Sequence, residues 1–323
     1  MISWFVLLTT AAAIAAGWWA WRDFERPRAP PSEVVVRLPR GAGLESIAAN
    51  LAKAGVIEHP RLFAATIALL GENKRLKAGE YRFAGALSPR GVMRKLIDGD
   101  VVVRKLTVPE GLTVMQILTL LAGAEGLEPV GAPSQPREGG LLPDTYHYVW
   151  GDNAALLVER MRRGMDEALR QAWDRRNANL PLRGPAEALV LASIVEKETG
   201  IAAERRRVAG VFVNRLRRGM KLQSDPTVIY GLTQGKAAFE RALSRADLQS
   251  DTLWNTYVVD GLPPTPIANP GRESLAAAVD PEAHDFLYFV ADGSGGHVFA
   301  RTLEEHNRNV ARWRATRAQT QTR

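Results

Sequence analysis

The chain has 323 residues, 46% of them hydrophobic, which is enough for one large domain or two to three smaller ones. It has no cysteine, which excludes disulfides, thiolate metal sites and a cysteine nucleophile. The formal net charge of +7 is compatible with an anionic partner, but no interleaved basic and aromatic pattern indicates nucleic-acid binding.

The N-terminal segment, residues 2–21, contains no charged side chain and ends in three tryptophans. A helix of that length spans ~30 Å, the thickness of a bilayer's hydrocarbon core, and tryptophans are typical of the membrane interface. The sequence therefore predicts a transmembrane helix over residues 1–21, with a cleaved signal peptide as the alternative. Basic residues follow the span, but large domains translocate regardless of such charges, so charge leaves the orientation undecided.

A proline-rich linker is predicted over residues 22–32, because clustered prolines favour extended backbone. Two related strand–turn–helix units then follow, at residues 34–51 and 101–121. Between them the sequence predicts a helix over 61–70, a strand over 79–83 and a helix after Pro89. Residues 33–123 are therefore interpreted as a small α+β region.

The second half of the chain is predicted to contain three helices, followed by loops that alternate with at least one strand. Residues 125–138 are rich in glycine and proline and are interpreted as a loop. Helices are predicted over 154–176, 186–199 and 203–218, and a strand over 286–290. An Asp-Gly turn at 292–296 predicts a hairpin that ends near residues 297–299. The arginine-rich tail, residues 307–323, is interpreted as a solvated terminal helix.

The helix predicted over 186–199 carries an apolar face that ends in a carboxylate. Spaced at i, i+3, i+4 and i+7, the members of this face are Leu191, Ile194, Val195 and Glu198. Loss of hydration raises the pKa of such a carboxyl, and a glutamic acid protonated near neutral pH can act as a general acid. Glu196 lies about 200° around the helix and is the weaker candidate. The alternative is a helix end whose glutamates reach solvent before Gly200.

Other chemistries lack support in the sequence. The five histidines are scattered, with no HExxH or comparable pair, and no nucleotide-binding glycine motif or GxSxG motif occurs. We therefore expect no metal and no cofactor. Three segments instead suit carbohydrate, because they combine amide, hydroxyl and carboxylate groups with aromatic rings; they are residues 222–231, 254–257 and 261–271.

At these positions the chain resembles the YceG-like family of endolytic murein transglycosylases. The matching stretches are KAGEYRF (77–83), EGGLLPDTY (138–146), ASIVEKET (192–199), VFVNRLRRGMKLQSDPTVIYG (211–231), LSRADL (243–248), NTYVVDGLPPTPIANPG (255–271) and LYFVADGSGGHVF (287–299). The resemblance implies an α+β fold with a single inner-membrane helix and a small LysM-like α+β subdomain at 33–105. It also implies a larger, mixed α/β periplasmic catalytic domain at 106–323 that contains a lysozyme-like helical active-site element. It also implies peptidoglycan glycan strands as substrate and peptidoglycan synthases as partners.

The implied reaction cuts the β-1,4 bond between N-acetylmuramic acid and N-acetylglucosamine and leaves 1,6-anhydro ends. Glu198 is the expected catalytic residue, because Glu198-Thr199 resembles the Glu-Ser pair near a helix end in lysozyme-like transglycosylases. The expected substrate-binding residues are Glu138, Tyr146, Gln223, Asp225, Thr227, Tyr230, Asn255 and Tyr257. Two alternatives stay open: a muramidase that uses Asp225 or Glu138 as a second carboxylate, and a peptidoglycan-binding scaffold without catalysis.

Overall fold

The computed structural model describes residues 2–129 and 136–321. The chain divides into two compact units. The first comprises Met1–Lys105, Glu125–Glu128 and His147–Asp152, and the second comprises Leu106–Ala124, Pro129–Tyr146 and Asn153–Arg323. Within the described residues the mixture of helices with small two-stranded sheets confirms the predicted α+β class.

The first unit is built around an antiparallel strand pair with two helices between the strands. Val36 of one strand lies opposite Tyr81 of the other. The helices pack amphipathic faces against this pair, and Leu51 and Ile67 are fully buried. In chain order the elements are α1 (Ile2–Glu25), β1 (Val34–Leu38), α2 (Leu44–Lys53), α3 (Pro60–Leu69), β2 (Gly79–Phe83), α4 (Pro89–Asp98) and β3 (Val103–Thr107).

The N-terminal helix α1 continues into the segment predicted as a linker, because its last turn belongs to the core of this unit. Phe24 is 1% exposed, and its ring lies 6.3 Å from that of Phe63. Among the described residues, however, no helix combines the length and the apolar character needed to cross a bilayer. The predicted transmembrane helix is therefore not confirmed, and the LysM-like character of residues 33–105 stays a prediction.

The second unit is mostly helical. In chain order its elements are α5 (Val114–Ala122), β4 (Thr145–Val149), α6 (Ala154–Asp174), α7 (Pro185–Glu198), α8 (Arg205–Arg217), α9 (Asp225–Thr233), α10 (Arg245–Leu248), α11 (Arg272–Val279), β5 (Tyr288–Ala291), β6 (His297–Ala300) and α12 (Leu303–Gln321). β3 and β4 each include residues of both units, and β5 and β6 form the predicted antiparallel hairpin.

Helix α7 lies at the centre of the second unit. It packs against α6, α8, α9 and α11, and every side chain from Val190 to Val195 is buried. The predicted apolar face, with Leu191, Ile194 and Val195, is buried, and from Val190 to Val195 the burial extends around the whole helix. Ser193 is the polar exception: its hydroxyl donates to Val190 O and accepts from Ile267 N at 3.1 Å, which fixes the proline-rich segment 261–271 against α7.

Helices α9 and α11 are not among the helices predicted from the sequence. Proline stands in the first turn of α9, a position that suits its fixed φ and missing N–H. Gly271 precedes α11 in extended conformation at the N-cap. Both are ordinary helix-start signals, which the polar composition of these segments concealed.

Candidate active site

The candidate catalytic residue, Glu198, is the last residue of α7. Thr199 ends the helix by adopting an extended backbone with φ −144°, without a left-handed glycine cap. The Glu198 side chain lines a cleft of about 550 Å³. The other walls come from α8, the segment before α9, Tyr257, β5 and α12. A carboxyl group thus stands at the point where the buried centre of the second unit meets a cavity of ligand size.

Ser224 makes the closest polar contact with Glu198. Its Oγ donates to Glu198 Oε1 at 2.5 Å. Serine at the N-cap of a helix commonly accepts from the first backbone amides, but this hydroxyl does not cap α9. Two further hydrogen bonds fix the backbone of Ser224: Ser224 N donates to Thr256 Oγ1, and Ser224 O accepts from Thr227 Oγ1. The serine is therefore positioned for the carboxyl group.

Burial raises the pKa of Glu198 to about 7, and the negative charge of Asp225 acts in the same direction. The Ser224 hydrogen bond and the positive charges of His297 and Arg215 oppose the rise without cancelling it. A carboxyl group with this pKa is protonated in a large fraction of molecules at neutral pH. It can donate a proton and then take one back, as a general acid and base must.

Glu196 is also withdrawn from solvent, with its side chain 5% exposed, but it is occupied by protein groups. Its Oε2 accepts from Gly271 N at 2.9 Å, and Arg205 Nη2 lies 3.7 Å from its Oε1. This carboxylate therefore holds the start of α11. Glu196 and Glu198 differ in their bonding partners and not in the polarity of the helix face that they occupy. Because protein groups engage the Glu196 carboxylate, the contacts favour Glu198 as the acid.

Three of the predicted substrate-binding residues line the cleft with Glu198: Gln223, Asp225 and Tyr257. Tyr257 Oη donates to Asp225 Oδ1 at 2.7 Å. Gln223 has φ +52°, a left-handed conformation that is uncommon for residues other than glycine. Its backbone is held by a hydrogen bond from Gln223 N to Thr256 O at 3.0 Å. These side chains are placed to meet a ligand.

Thr227 and Asn255 lie behind the cleft wall and are buried. Thr227 Oγ1 is 2.8 Å from Thr256 Oγ1, in addition to its bond to Ser224. Asn255 Nδ2 donates to Ser250 O, and its Oδ1 accepts from Tyr257 N. The two residues therefore position Ser224 and Tyr257.

Glu138, Tyr146 and Tyr230 do not belong to the described lining of this cleft. The carboxylate of Glu138 accepts from Val114 N, Asn269 Nδ2 and Tyr230 Oη, and burial raises its pKa. Tyr146 Oη donates to Leu142 O at 2.7 Å. Their polar atoms are engaged within the protein, so the structure does not bring these three together with Glu198.

Sequence reasoning missed Arg215, which is 8% exposed and lines the cleft. Its Nε donates to Leu287 O at 2.7 Å and its Nη1 to Leu222 O at 2.7 Å, so it connects the residue before β5 to the segment before α9. A signal was available, because Arg215 continues the apolar face of α8 marked by Val208 and Val211. An arginine on the apolar face of a helix indicates a buried guanidinium group whose hydrogen bonds are accepted by other groups of the protein.

The raised pKa of Glu198 has a consequence for stability. Between the ordinary value of 4.5 and about 7 the folded chain binds more protons than the unfolded chain. The free energy of unfolding therefore falls as the pH rises through this range. Because glutamine does not titrate, we expect Glu198→Gln to be more stable than the wild type at pH 8, by about 1–3 kcal/mol.

At pH 4 the difference in stability between Glu198→Gln and the wild type should disappear. Denaturant unfolding at pH 4 and at pH 8 measures the free energy of unfolding of both forms. Glu304→Gln, at an exposed position on α12, is the control for removing one negative charge. A stability difference that does not change with pH would contradict the raised pKa.

Known proteins are similar to this chain over most of its length. The model of the YceG-like family matches residues 36–312. A protein of Streptococcus pneumoniae serotype 2 named endolytic murein transglycosylase is 30% identical over 86% of this chain. A Bacillus subtilis protein of the same name is 29% identical over 85% of this chain and 83% of its own length. The chain spans 58% of the length of the pneumococcal relative.

A solved structure agrees with these matches. The crystal structure of a YceG-like protein from Listeria monocytogenes aligns with a TM-score of 0.55 and 29% identity, covering 86% of this chain and 98% of the other. With a family model that spans most of the sequence and a structural match of nearly the same extent, this chain belongs to the YceG-like family.

Proposed function

We propose that this chain is a lytic transglycosylase that cleaves glycan strands of murein, with Glu198 as both acid and base. The observation that carries the proposal is the Glu198 carboxyl, which has a pKa of about 7 and lies at the wall of an open cleft. The names of the pneumococcal and Bacillus relatives support the substrate class and the reaction.

In the first step, protonated Glu198 donates its proton to the oxygen that joins N-acetylmuramic acid to N-acetylglucosamine. The bond from C1 to this oxygen breaks, the N-acetylglucosamine leaves with a hydroxyl group, and positive charge develops on the muramic acid ring. Asp225, held by Tyr257, supplies negative charge in the same cleft. Such a fixed charge stabilises the developing cation.

In the second step, the 6-hydroxyl of the same muramic acid attacks C1. Its proton passes to the Glu198 carboxylate, which restores the acid, and the product carries a 1,6-anhydro ring. An intramolecular hydroxyl outcompetes water when it is held in place, because effective molarities reach about 10⁵ M or more. One titrating carboxyl therefore suffices for both steps, and neither step calls on a metal.

A muramidase is the second candidate. The contacts favour Asp225 over Glu138 as its second carboxylate. Hydrolysis needs a second carboxylate about 5–9.5 Å from the acid. Asp225 lines the same cleft as Glu198, whereas Glu138 is held by Val114, Asn269 and Tyr230. Asp225 would then direct a water molecule to C1, and the product would have a reducing end.

The test is mass spectrometry of purified peptidoglycan after incubation with the wild type, Glu198→Gln or Asp225→Asn. We expect anhydro ends from the wild type and a loss of at least ~10²-fold in rate for Glu198→Gln, since general acid catalysis contributes about that much. Glu196→Gln is the matched control and should keep most of the activity. Reducing ends that disappear in Asp225→Asn would establish the muramidase, and full activity of Glu198→Gln would exclude its assigned role.

Ser224 offers a second test through the pH profile of kcat/KM. Its hydroxyl stabilises the ionised form of Glu198, so removing it should raise the pKa of that carboxyl further. We expect Ser224→Ala to shift the alkaline limb of the profile to higher pH. Ser224→Thr, which keeps the hydroxyl, should leave the limb near the wild-type position. An unshifted limb in Ser224→Ala would show that the hydrogen bond does not govern the protonation of Glu198.

We propose that the chain is held at the inner membrane with its second unit on the outer, periplasmic side. The uncharged segment 2–21 and the location of murein outside that membrane support this placement. The LysM-like character of residues 33–105 and a partnership with peptidoglycan synthases rest on the family resemblance alone.

Because the chain has no cysteine, a single Ser294→Cys substitution in the exposed β5–β6 turn gives a clean topology probe. In spheroplasts the thiol should react with a membrane-impermeant maleimide, and the chain should sediment with membranes. A variant lacking residues 2–21 should lose this sedimentation while keeping Phe24 in the core. Protection of the thiol until lysis would reverse the proposed orientation.

A further inference from the structure

Arg215 of α8 lines the Glu198 cleft, although its side chain is almost entirely enclosed by protein. Two of its three guanidinium nitrogens have acceptors on the backbone. Nε donates to Leu287 O at 2.7 Å, and Nη1 donates to Leu222 O at 2.7 Å and to Lys221 O at 3.3 Å. The guanidinium is therefore fixed in place before any ligand arrives.

The third nitrogen, Nη2, is left for another partner. Within the described residues no hydrogen bond joins Nη2 to another group, and Nη2 is not one of the fully buried polar atoms that lack a bond. It therefore has access to solvent, and the cavity that the Arg215 side chain lines is the Glu198 cleft. Both N–H groups of this nitrogen are thus available to an acceptor on a ligand.

Short contacts place this guanidinium beside the acid. Its Nη1 lies 3.4 Å from Oε1 of Gln223, and the following residue, Ser224, donates to Glu198. The charges of Arg215 and Glu198 also act on each other. The guanidinium carbon lies 5.1 Å from the ring centroid of Tyr288, which belongs to the same cleft wall. The available nitrogen and the acid therefore lie in the same part of the cleft.

The proposed substrate carries one group that suits such a donor. Murein strands alternate two amino sugars with similar rings and identical acetamido groups, and N-acetylmuramic acid differs by a lactyl group on O3. The lactyl group ends in a carboxylate, or in an amide carbonyl where a peptide stem is attached. A guanidinium binds a carboxylate through charge-assisted hydrogen bonds, which are stronger than its bonds to neutral hydroxyl or acetamido oxygens. An enzyme that cuts one of the two alternating linkages has to detect this difference.

We propose that Arg215 binds the lactyl group of the N-acetylmuramic acid ring whose C1–O bond is cut, and thereby selects the linkage that meets Glu198. The lactyl group on C3 and the bond at C1 belong to one sugar ring, so a cation and an acid in the same part of the cleft can contact both. Arg314 also lines the cleft, but it is exposed, and solvent weakens the attraction of its charge for a ligand. The proposal rests on the proposed function for its substrate.

The test compares two tetrasaccharides that bind to the full-length chain carrying Glu198→Gln. One is a stem-free murein fragment with free lactyl carboxylates, and the other is chitotetraose, which has no lactyl group. Calorimetry should show that Arg215→Gln weakens binding of the murein fragment about tenfold and leaves binding of chitotetraose nearly unchanged. Arg215→Lys keeps the charge and should lose less. A merely structural role of Arg215 would weaken binding of both ligands by the same factor.

Two controls separate lactyl recognition from other effects. Arg314→Gln removes the same charge from an exposed position on the cleft wall, and it should weaken binding of the murein fragment less than Arg215→Gln does. Because Arg215 also anchors backbone carbonyls, the second control changes the ligand and leaves Arg215 in place. Reduction of the lactyl carboxyl groups to alcohols should weaken binding of the murein fragment to Glu198→Gln by a factor similar to that of Arg215→Gln.

Equal weakening of both tetrasaccharides by Arg215→Gln, or unchanged binding of the carboxyl-reduced fragment, would overturn lactyl recognition. Anhydro products from the wild type would then leave the proposed function intact. A preference for the murein fragment that depends on Arg215, in a chain that yields no anhydro product, would support lactyl recognition and refute the transglycosylase.

Discussion

The enclosure of α7 is the constraint on which the second unit depends. Surrounded by α6, α8, α9 and α11, this helix has no solvent-facing side from Val190 to Val195, where Ser193 is the one polar side chain before the helix reaches its C-terminal end. Glu198 stands at that end, where burial is deep enough to disfavour its charge and the cleft is close enough for a ligand. The same packing that stabilises the core therefore prepares the carboxyl for proton transfer.

This arrangement lowers the stability of the folded chain at neutral pH, and the surroundings of Glu198 limit the loss. Ser224 donates to the carboxyl, while His297 and Arg215 contribute positive charge. Asp225 acts in the opposite direction. The opposing contributions leave the pKa close to neutrality, where a group can serve as both acid and base. A carboxylate whose charge was fully balanced by such partners would stabilise the fold, but it could no longer serve as both acid and base near neutral pH.

Much of the architecture could be predicted from sequence, because strong local signals decide it. The strand over 79–83 and the hairpin around the Asp-Gly turn formed as expected. Residue types alone could not identify the partners of side chains. Glu138 and Glu198 are both acids near aromatic residues, but one is bonded to Val114 and Asn269 and the other faces the cleft. Ser224 was passed over because only the fold brings it to α7.

The three residues before α9 each perform a different task. Leu222 is buried in the core, Gln223 lines the cleft with a left-handed backbone, and Ser224 is buried against Glu198. Because each of the three side chains occupies a different environment, a shift by one residue along this connection exchanges those environments. The connection between α8 and α9 therefore cannot tolerate a single inserted or deleted residue without removing the serine from the acid. The length of this connection is therefore as important to the active site as its composition.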